Sequence, residues 1–201
     1  MIIHDVEQGS YEWHQIRLGK ITSTRLKKVL SKDNLSLVDE LIAEEETGLS
    51  DDDGFVSEDM QRGIDLEPLA IKEYESITGN TVTRYGIMQS DELPILCQSP
   101  DGYVGTEGAI EVKCPRTKTH VKYIRQGKIP NDYKEQVWCY FMVNPNLKWL
   151  DFISYDPRLT KKPIWVLRVN REDVQDDVNT TWESLMAFND KYMRLKEELF
   201  F

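Results

Sequence analysis

Ser99-Pro100-Asp101-Gly102-Tyr103-Val104-Gly105-Thr106-Glu107-Gly108-Ala109-Ile110-Glu111-Val112-Lys113 is the stretch from which the rest of the chain can be ordered. Pro-Asp-Gly is turn chemistry, a short hairpin-like connection follows it, and residues 109–114 read as a strand. Side chains alternate faces along a strand, so Glu111 and Lys113 point one way. Val112 turns its side chain into the core and offers its backbone carbonyl to the same site. Asp101, held at the turn, can share an ion with Glu111. Two carboxylates and a carbonyl are hard oxygen donors that suit magnesium and leave room for its waters. Lys113 then stands beside a metal-bound water.

Each fragment alone is ordinary, because Pro-Asp-Gly is common in turns and Glu-Val-Lys is common in a half-wet strand. Their order and setting carry the argument. Ala109, Ile110, Val112 and Cys114 make a buried-strand neighbourhood, where an unpaired charge is costly. Charges placed there point to a metal site, and the order of the carboxylates and lysine points to DNA cleavage.

A chain of 201 residues, 40% of them hydrophobic, can bury one core, and no Pro/Gly/Ser-rich linker divides it. One domain over residues 1–201 is expected. No apolar run approaches the roughly 20 residues that span a bilayer. The start, Met1-Ile2-Ile3-His4-Asp5, lacks the basic and apolar regions of a signal peptide. A soluble protein without a membrane partner, working inside the cell, is expected.

Cys97, Cys114 and Cys139 are widely spaced and flanked by apolar residues, which fits reduced core thiols. No Cys-x-x-Cys pair is present for zinc or an iron–sulfur cluster, and His4, His14 and His120 are scattered.

The net charge of -10 runs against nucleic-acid binding, which depends on neutralising phosphates, but the charges are unevenly placed. Acid collects at Glu44-Glu45-Glu46, Asp51-Asp52-Asp53 and Glu172, Asp173, Asp176, Asp177. Lys113, Arg116, Lys118, Lys122, Arg125, Lys128 and Lys134 follow the metal motif against only Glu111 and Asp132. By itself this stripe reads equally as a solvated helix face or a phosphate track; beside metal ligands the track is the better reading.

Apolar spacing and punctuation predict helices over 11–18 (stopped by Gly19), from a Thr22 or Ser23 cap to Leu30, and over 37–47. After an acidic loop at 51–54, a helix over 57–78 carries Met60, Ile64, Leu69, Ile71, Tyr74 and Ile77, with Pro68 expected to bend or interrupt it. Strands are predicted over 81–89, 96–98, 109–114, 148–155 and 164–169, and helices over 118–126, 132–143 and 171–199. Trp138, Trp149, Trp165 and Trp182 read as core aromatics. The pattern is α/β, a small mixed sheet flanked by helices.

Several ordered motifs then agree: Trp13-His14-x-x-Arg17-Leu18-Gly19-x-Ile21-Thr22, Gly63-x-x-x-Glu67, Ser99-Pro100-Asp101-Gly102, Glu111-Val112-Lys113-Cys114-Pro115, Gln136 with Trp138 and Tyr140, and Tyr155-Asp156-Pro157-Arg158. Over most of its length the chain resembles the lambda-exonuclease and YqaJ-type viral recombinase nucleases of the PD-(D/E)XK superfamily. The resemblance implies a single-domain, restriction-endonuclease-like α/β core with a central mixed sheet. It implies a Mg²⁺-dependent deoxyribonuclease, with two ions and Mn²⁺ as a substitute. That enzyme digests one strand of linear double-stranded DNA from the 5′ end, releasing 5′-mononucleotides and leaving a 3′ overhang for a single-strand annealing protein. A phage or prophage source, action in the bacterial cytoplasm and a homotrimeric ring around DNA are also implied.

Carried onto this sequence, the resemblance makes Glu67, Asp101, Glu111 and the Val112 carbonyl metal ligands, with Glu67 serving a second ion. Lys113 activates the attacking water, and Gln136 positions that water or the lysine. Arg17, Thr24 and Ser99 match a 5′-phosphate pocket, with Thr24 standing where the model family member has serine. Trp13 is read as a core anchor or as stacking near the DNA end, and Lys118, Lys122 and Arg125 as backbone contacts. Near divalent cations Lys113 is expected to hold its proton less firmly, and its role as general base or as orienter of water stays open. The rival readings are a restriction-like or RecB-like endonuclease of the same fold and an inactive DNA-binding recombination module.

Overall fold

In the computed structural model, residues 1–50 and 56–200 are described. The acidic loop expected at 51–54 lies outside them. The chain runs β1 (Ile2–His4), α1 (Tyr11–Arg17), α2 (Leu26–Val29), α3 (Leu35–Thr47), α4 (Glu58–Thr78), β2 (Val82–Thr83), β3 (Ile87–Gln89), β4 (Cys97–Gln98), β5 (Gly102–Val104) and β6 (Gly108–Lys113). It continues through α5 (Thr117–Gln126), a 3₁₀ turn at Asn131–Tyr133, α6 (Lys134–Val143), β7 (Trp149–Tyr155), β8 (Ile164–Asn170) and α7 (Arg171–Phe200).

The main sheet is mixed, with strand order β2-β5-β6-β7-β8. β6 lies at its centre, antiparallel to β5 and parallel to β7. The β6-to-β7 connection is long enough to be made by α5 and α6, as parallel pairing requires. A second sheet, β1-β3-β4, was not expected from the sequence. The strand expected over 81–89 is in fact two strands, β2 and β3, which pair in different sheets.

Both faces of the main sheet are covered. Leu150 and Phe152 of β7 join one apolar cluster with Val137, Tyr140 and Phe141 of α6 and Leu185 and Phe188 of α7. Ile110, Val112, Ile153 and Tyr155 face the opposite way, against Ala70, Ile71 and Tyr74 of α4. Strand alternation therefore divides β6 as the sequence predicts. Ile110 and Val112 pack beneath α4, while Glu111 and Lys113 take the α6 side.

α4 is one continuous helix with Pro68 inside it, capped by the Ser57 hydroxyl accepting from Met60 N–H and ended by left-handed Gly79. Pro68 does not interrupt it: the carbonyl deprived of its partner is that of Ile64, an exposed residue, where water can serve it. The apolar residues spaced along it do not share one buried face. Ile71 and Tyr74 are buried, whereas Met60, Ile64, Leu69 and Ile77 are each at least half exposed. α2 is shorter than expected and begins after Arg25, because the Thr22 carbonyl is engaged in a turn that receives the Arg25 and Leu26 N–H groups.

At the end of β7, fully buried Asp156 binds three elements together. It accepts from Arg62 of α4 at 2.8 Å, from Thr117 at the start of α5 at 2.5 Å, and from the Arg158 side chain at 2.9 and 3.1 Å. Burial by itself raises this carboxyl, but the bonds from Arg158 and Thr117 outweigh it and hold the group well below the usual carboxylate range.

Candidate active site

The β5–β6 hairpin assembles the carboxylates. Gly102 pairs with Ile110, so the same antiparallel register, carried one residue back, sets Asp101 opposite Glu111. Gly102 permits the close approach, since a Cβ there would stand 2.3 Å from Val82 Cγ1. Asp101 Oδ2 accepts the Val112 N–H at 2.6 Å, which ties the turn to the strand.

On the α6 side of β6, Lys113 Nζ forms an ion pair with Glu111 Oε1 and lies 5.0 Å from the centroid of the Tyr133 ring. Tyr140 reaches the same place from α6. Its hydroxyl accepts from Asp101 N–H at 3.1 Å and stands 2.8 Å from the Ile110 carbonyl and 2.9 Å from Glu111 Oε2. Gln136 precedes Tyr140 by one helical turn and so shares its face of α6; it is half-buried.

The electrostatics are those of crowded carboxylates. Burial and the Glu111 charge push the Asp101 carboxyl well up, against the opposing pull of Lys113. Burial disfavours the Lys113 ammonium, but Glu111 and Asp101 outweigh it, so the proton is held more firmly than on an ordinary lysine. The lowered proton affinity expected from the sequence is therefore not a property that these side chains produce among themselves. It requires added positive charge.

Glu67 sits at the margin. Burial raises its carboxyl, and the charges of Arg84, Lys113 and Glu111 all act on it, yet its Oε1 accepts from Arg84 at 2.5 Å. Among the described residues no three or more His, Cys, Asp and Glu side chains gather so as to hold a metal ion. Asp101 and Glu111 make a pair, with Glu67 turned to Arg84. Hard oxygens on two mutually repelling carboxylates fit a divalent cation whose remaining positions go to water, a carbonyl or a phosphate.

Two residues before Asp101, a cationic side chain from α1 reaches the same segment. Arg17 Nη1 donates to Ser99 Oγ at 2.8 Å, and its guanidinium lies 3.9 Å from the centroid of the Trp13 ring. Among the described residues Arg17 forms no ion pair with a carboxylate. The loop after it is fixed by Glu44, which accepts from Gly19 N–H at 3.0 Å and from Arg25 at 2.5 and 2.8 Å. Left-handed Gly19 lets the chain turn there. Thr24 is exposed, and its hydroxyl meets Thr22 at 3.1 Å and not Arg17 or Ser99.

Lys118, Lys122 and Arg125 are exposed along one side of α5, opposite buried His120 and Tyr123. The three cysteines are free, with Cys97 and Cys139 buried. Among the described residues no helix is long and apolar enough to cross a membrane.

The model of the YqaJ-like viral recombinase domain matches residues 12–145, which include every one of these side chains. The chain belongs to that family. It is similar to the crystal structure of an alkaline exonuclease (LHK-Exo) from Laribacter hongkongensis at 32% identity, covering 94% of this chain and 98% of that one, with a TM-score of 0.79. The structure of LHK-Exo in complex with dAMP matches with the same identity and coverage at a TM-score of 0.80. A phage related exonuclease from Haemophilus somnus 129PT shares the fold at 18% identity, covering 90% of this chain and 96% of that one, with a TM-score of 0.55. No curated protein matched the chain.

Sequence reasoning missed three features of this YqaJ-like site: the Arg84 partner of Glu67, the Tyr133 ring over Lys113, and the Tyr140 hydroxyl joining the Asp101 N–H to the Glu111 carboxylate. Only Tyr140 left a signal, its four-residue offset from Gln136 on a helix.

Proposed function

We propose that this protein is a Mg²⁺-dependent exonuclease, a single nuclease domain that digests linear double-stranded DNA from the 5′ end. It releases 5′-mononucleotides and leaves a 3′ single strand for an annealing protein. The observation that carries the reading is the Arg17–Ser99 hydrogen bond two residues from Asp101, which puts a guanidinium in the same segment as the paired carboxylates and a lysine. A family member bound to dAMP and named an exonuclease supports it. A homotrimeric ring, phage or prophage origin and action in the host cytoplasm belong to the same proposal.

In this reading Asp101, Glu111 and the Val112 carbonyl hold the ion, with Glu67 released from Arg84 to serve a second. The ions supply charge stabilisation at the phosphoryl group and a more acidic water. Lys113 orients that water or takes its proton, and Gln136 steadies it from α6. Arg17 grips the terminal phosphate through its planar fork of donors, with Ser99, while Thr24, turned to Thr22, drops out of the phosphate contacts that the resemblance implied. Trp13 supports the guanidinium. Lys118, Lys122 and Arg125 follow the duplex backbone.

The test is digestion of linear duplexes labelled at either end, with a closed circular duplex alongside. Loss of 5′ label as mononucleotide, with the circle intact, is the expected result. Cleavage of the circle would favour the restriction-like or RecB-like endonuclease. Binding without cleavage in Mg²⁺ would leave the inactive recombination module.

A further inference from the structure

The two carboxylates of the site are restrained differently. Asp101 has one oxygen engaged by the protein, Oδ2 by the Val112 N–H at 2.6 Å, whereas Glu111 has both engaged, Oε2 standing 2.9 Å from the Tyr140 hydroxyl. The second Glu111 oxygen, Oε1, turns to Lys113. The Asp101 restraint comes from the backbone, and any residue at position 112 except proline could supply it. The restraint on Glu111 Oε2 is a single side chain.

Tyr140 has no exposure at all and is fixed on α6 by the apolar cluster around it. It has one proton to give, towards Glu111 Oε2 and the Ile110 carbonyl beside it, and receives another from Asp101 N–H, so its orientation is defined from both sides. No other side chain touches both the Asp101 segment and the Glu111 carboxylate in the hydrogen-bond pattern of the described residues.

Cations differ in what they ask of a glutamate. Mg²⁺ binds at short distance in a near-octahedral shell and keeps waters, whereas Ca²⁺ accepts more ligands and commonly takes both oxygens of one carboxylate. A glutamate with one oxygen held back suits the smaller ion. We infer that Tyr140 is a positioning residue that sets cation selectivity, by holding Glu111 Oε2 so that Oε1, the oxygen paired with Lys113, is the one a metal takes over. This rests on the metal reading of the site given above.

The experiment is calorimetric titration of the full chain with Mg²⁺ and separately with Ca²⁺, for the wild type and Tyr140→Phe, with thermal unfolding measured in chelator. The substitution removes one hydroxyl and keeps the ring. Freed to rotate, Glu111 can present both oxygens. The Mg²⁺ Kd should rise about tenfold, as for other groups that orient a metal ligand, while the Ca²⁺ Kd stays constant or falls. Equal weakening of both ions, or no change in either, overturns the inference and leaves the metal site standing. Failure of the wild type to bind either ion removes both.

If Tyr140→Phe does not fold, infrared spectra of the wild type labelled with ¹³C-glutamate decide the matter. The splitting of the carboxylate stretches separates one-oxygen from two-oxygen binding. One-oxygen binding of Mg²⁺ is expected, and a two-oxygen signature overturns the inference.

Discussion

Arg17 donates to the Ser99 hydroxyl across 2.8 Å, although the two residues are 82 positions apart in the chain. A cation drawn in from α1 thus meets the segment that carries Asp101. With no carboxylate partner among the described residues, Arg17 retains donors for an anion. A 5′-phosphorylated duplex should be degraded faster and more processively than a 5′-hydroxyl duplex. Arg17→Ala should abolish the difference, and Arg17→Lys should restore part of it, because lysine keeps the charge without the fork. Degradation of both substrates under a trap for dissociated enzyme measures this. Full preference retained in Arg17→Ala would remove the pocket.

Mg²⁺ or Mn²⁺ should support cleavage, and excess chelator should abolish it. Asp101→Ala and Glu111→Ala should lose both metal binding and turnover. Lys113→Ala should bind metal and lose roughly 10²–10⁴-fold in rate, the range for a group assisting proton transfer. Single-turnover cleavage together with metal titration separates these cases. A wild-type rate in any variant would refute the role given to that residue.

Lys118, Lys122 and Arg125 are exposed on one side of α5. Reversing any one to Glu should weaken duplex binding and lower the slope of log K against log salt by about 0.9 for each phosphate that is no longer neutralised. Cleavage at saturating protein should change less than affinity. Unchanged slopes in all three variants would return this face to plain solvent.

Asp156 joins α4, α5 and the end of β7, so Asp156→Asn should destabilise the fold by roughly 3 kcal/mol, as when one partner of a buried ion pair is removed. Because the folded carboxyl lies below its unfolded value, the contribution is present above the unfolded pKa of about 3.9 and is lost as pH falls towards the folded one. Urea unfolding from neutral pH downward should show an acid loss that is larger in the wild type than in Asp156→Asn. Parallel curves would contradict this.

Much of the site was legible because β6 has one apolar and one charged face, and a period of two assigns each residue without further information. The hairpin register added Asp101. Elsewhere local pattern misled. Residues 81–89 look like one strand, yet the chain breaks around Gly86, where a Cβ would lie 2.0 Å from the Val6 carbonyl oxygen, and its two halves enter different sheets. β5 was hidden because its three residues adjoin a turn. α6 is buried on every side from Val137 to Val143, so no periodicity shows which residue faces the carboxylates, and only the four-residue offset from Gln136 hinted at Tyr140. The Arg84–Glu67 pair was illegible for a related reason: a long-range ion pair between exposed elements leaves no spacing to read.

The parallel pairing of β6 with β7 bears on when the site comes into existence. Glu111 lies opposite Phe152, so the central strand lacks one neighbour until some forty later residues have been synthesised and packed. Non-local parallel pairing is slow to form. A nascent chain that has already emerged with Asp101, Glu111 and Lys113 therefore carries the reagents without the scaffold, and α6 has yet to dock beside them. The site is therefore complete only once the last third of the chain has been made.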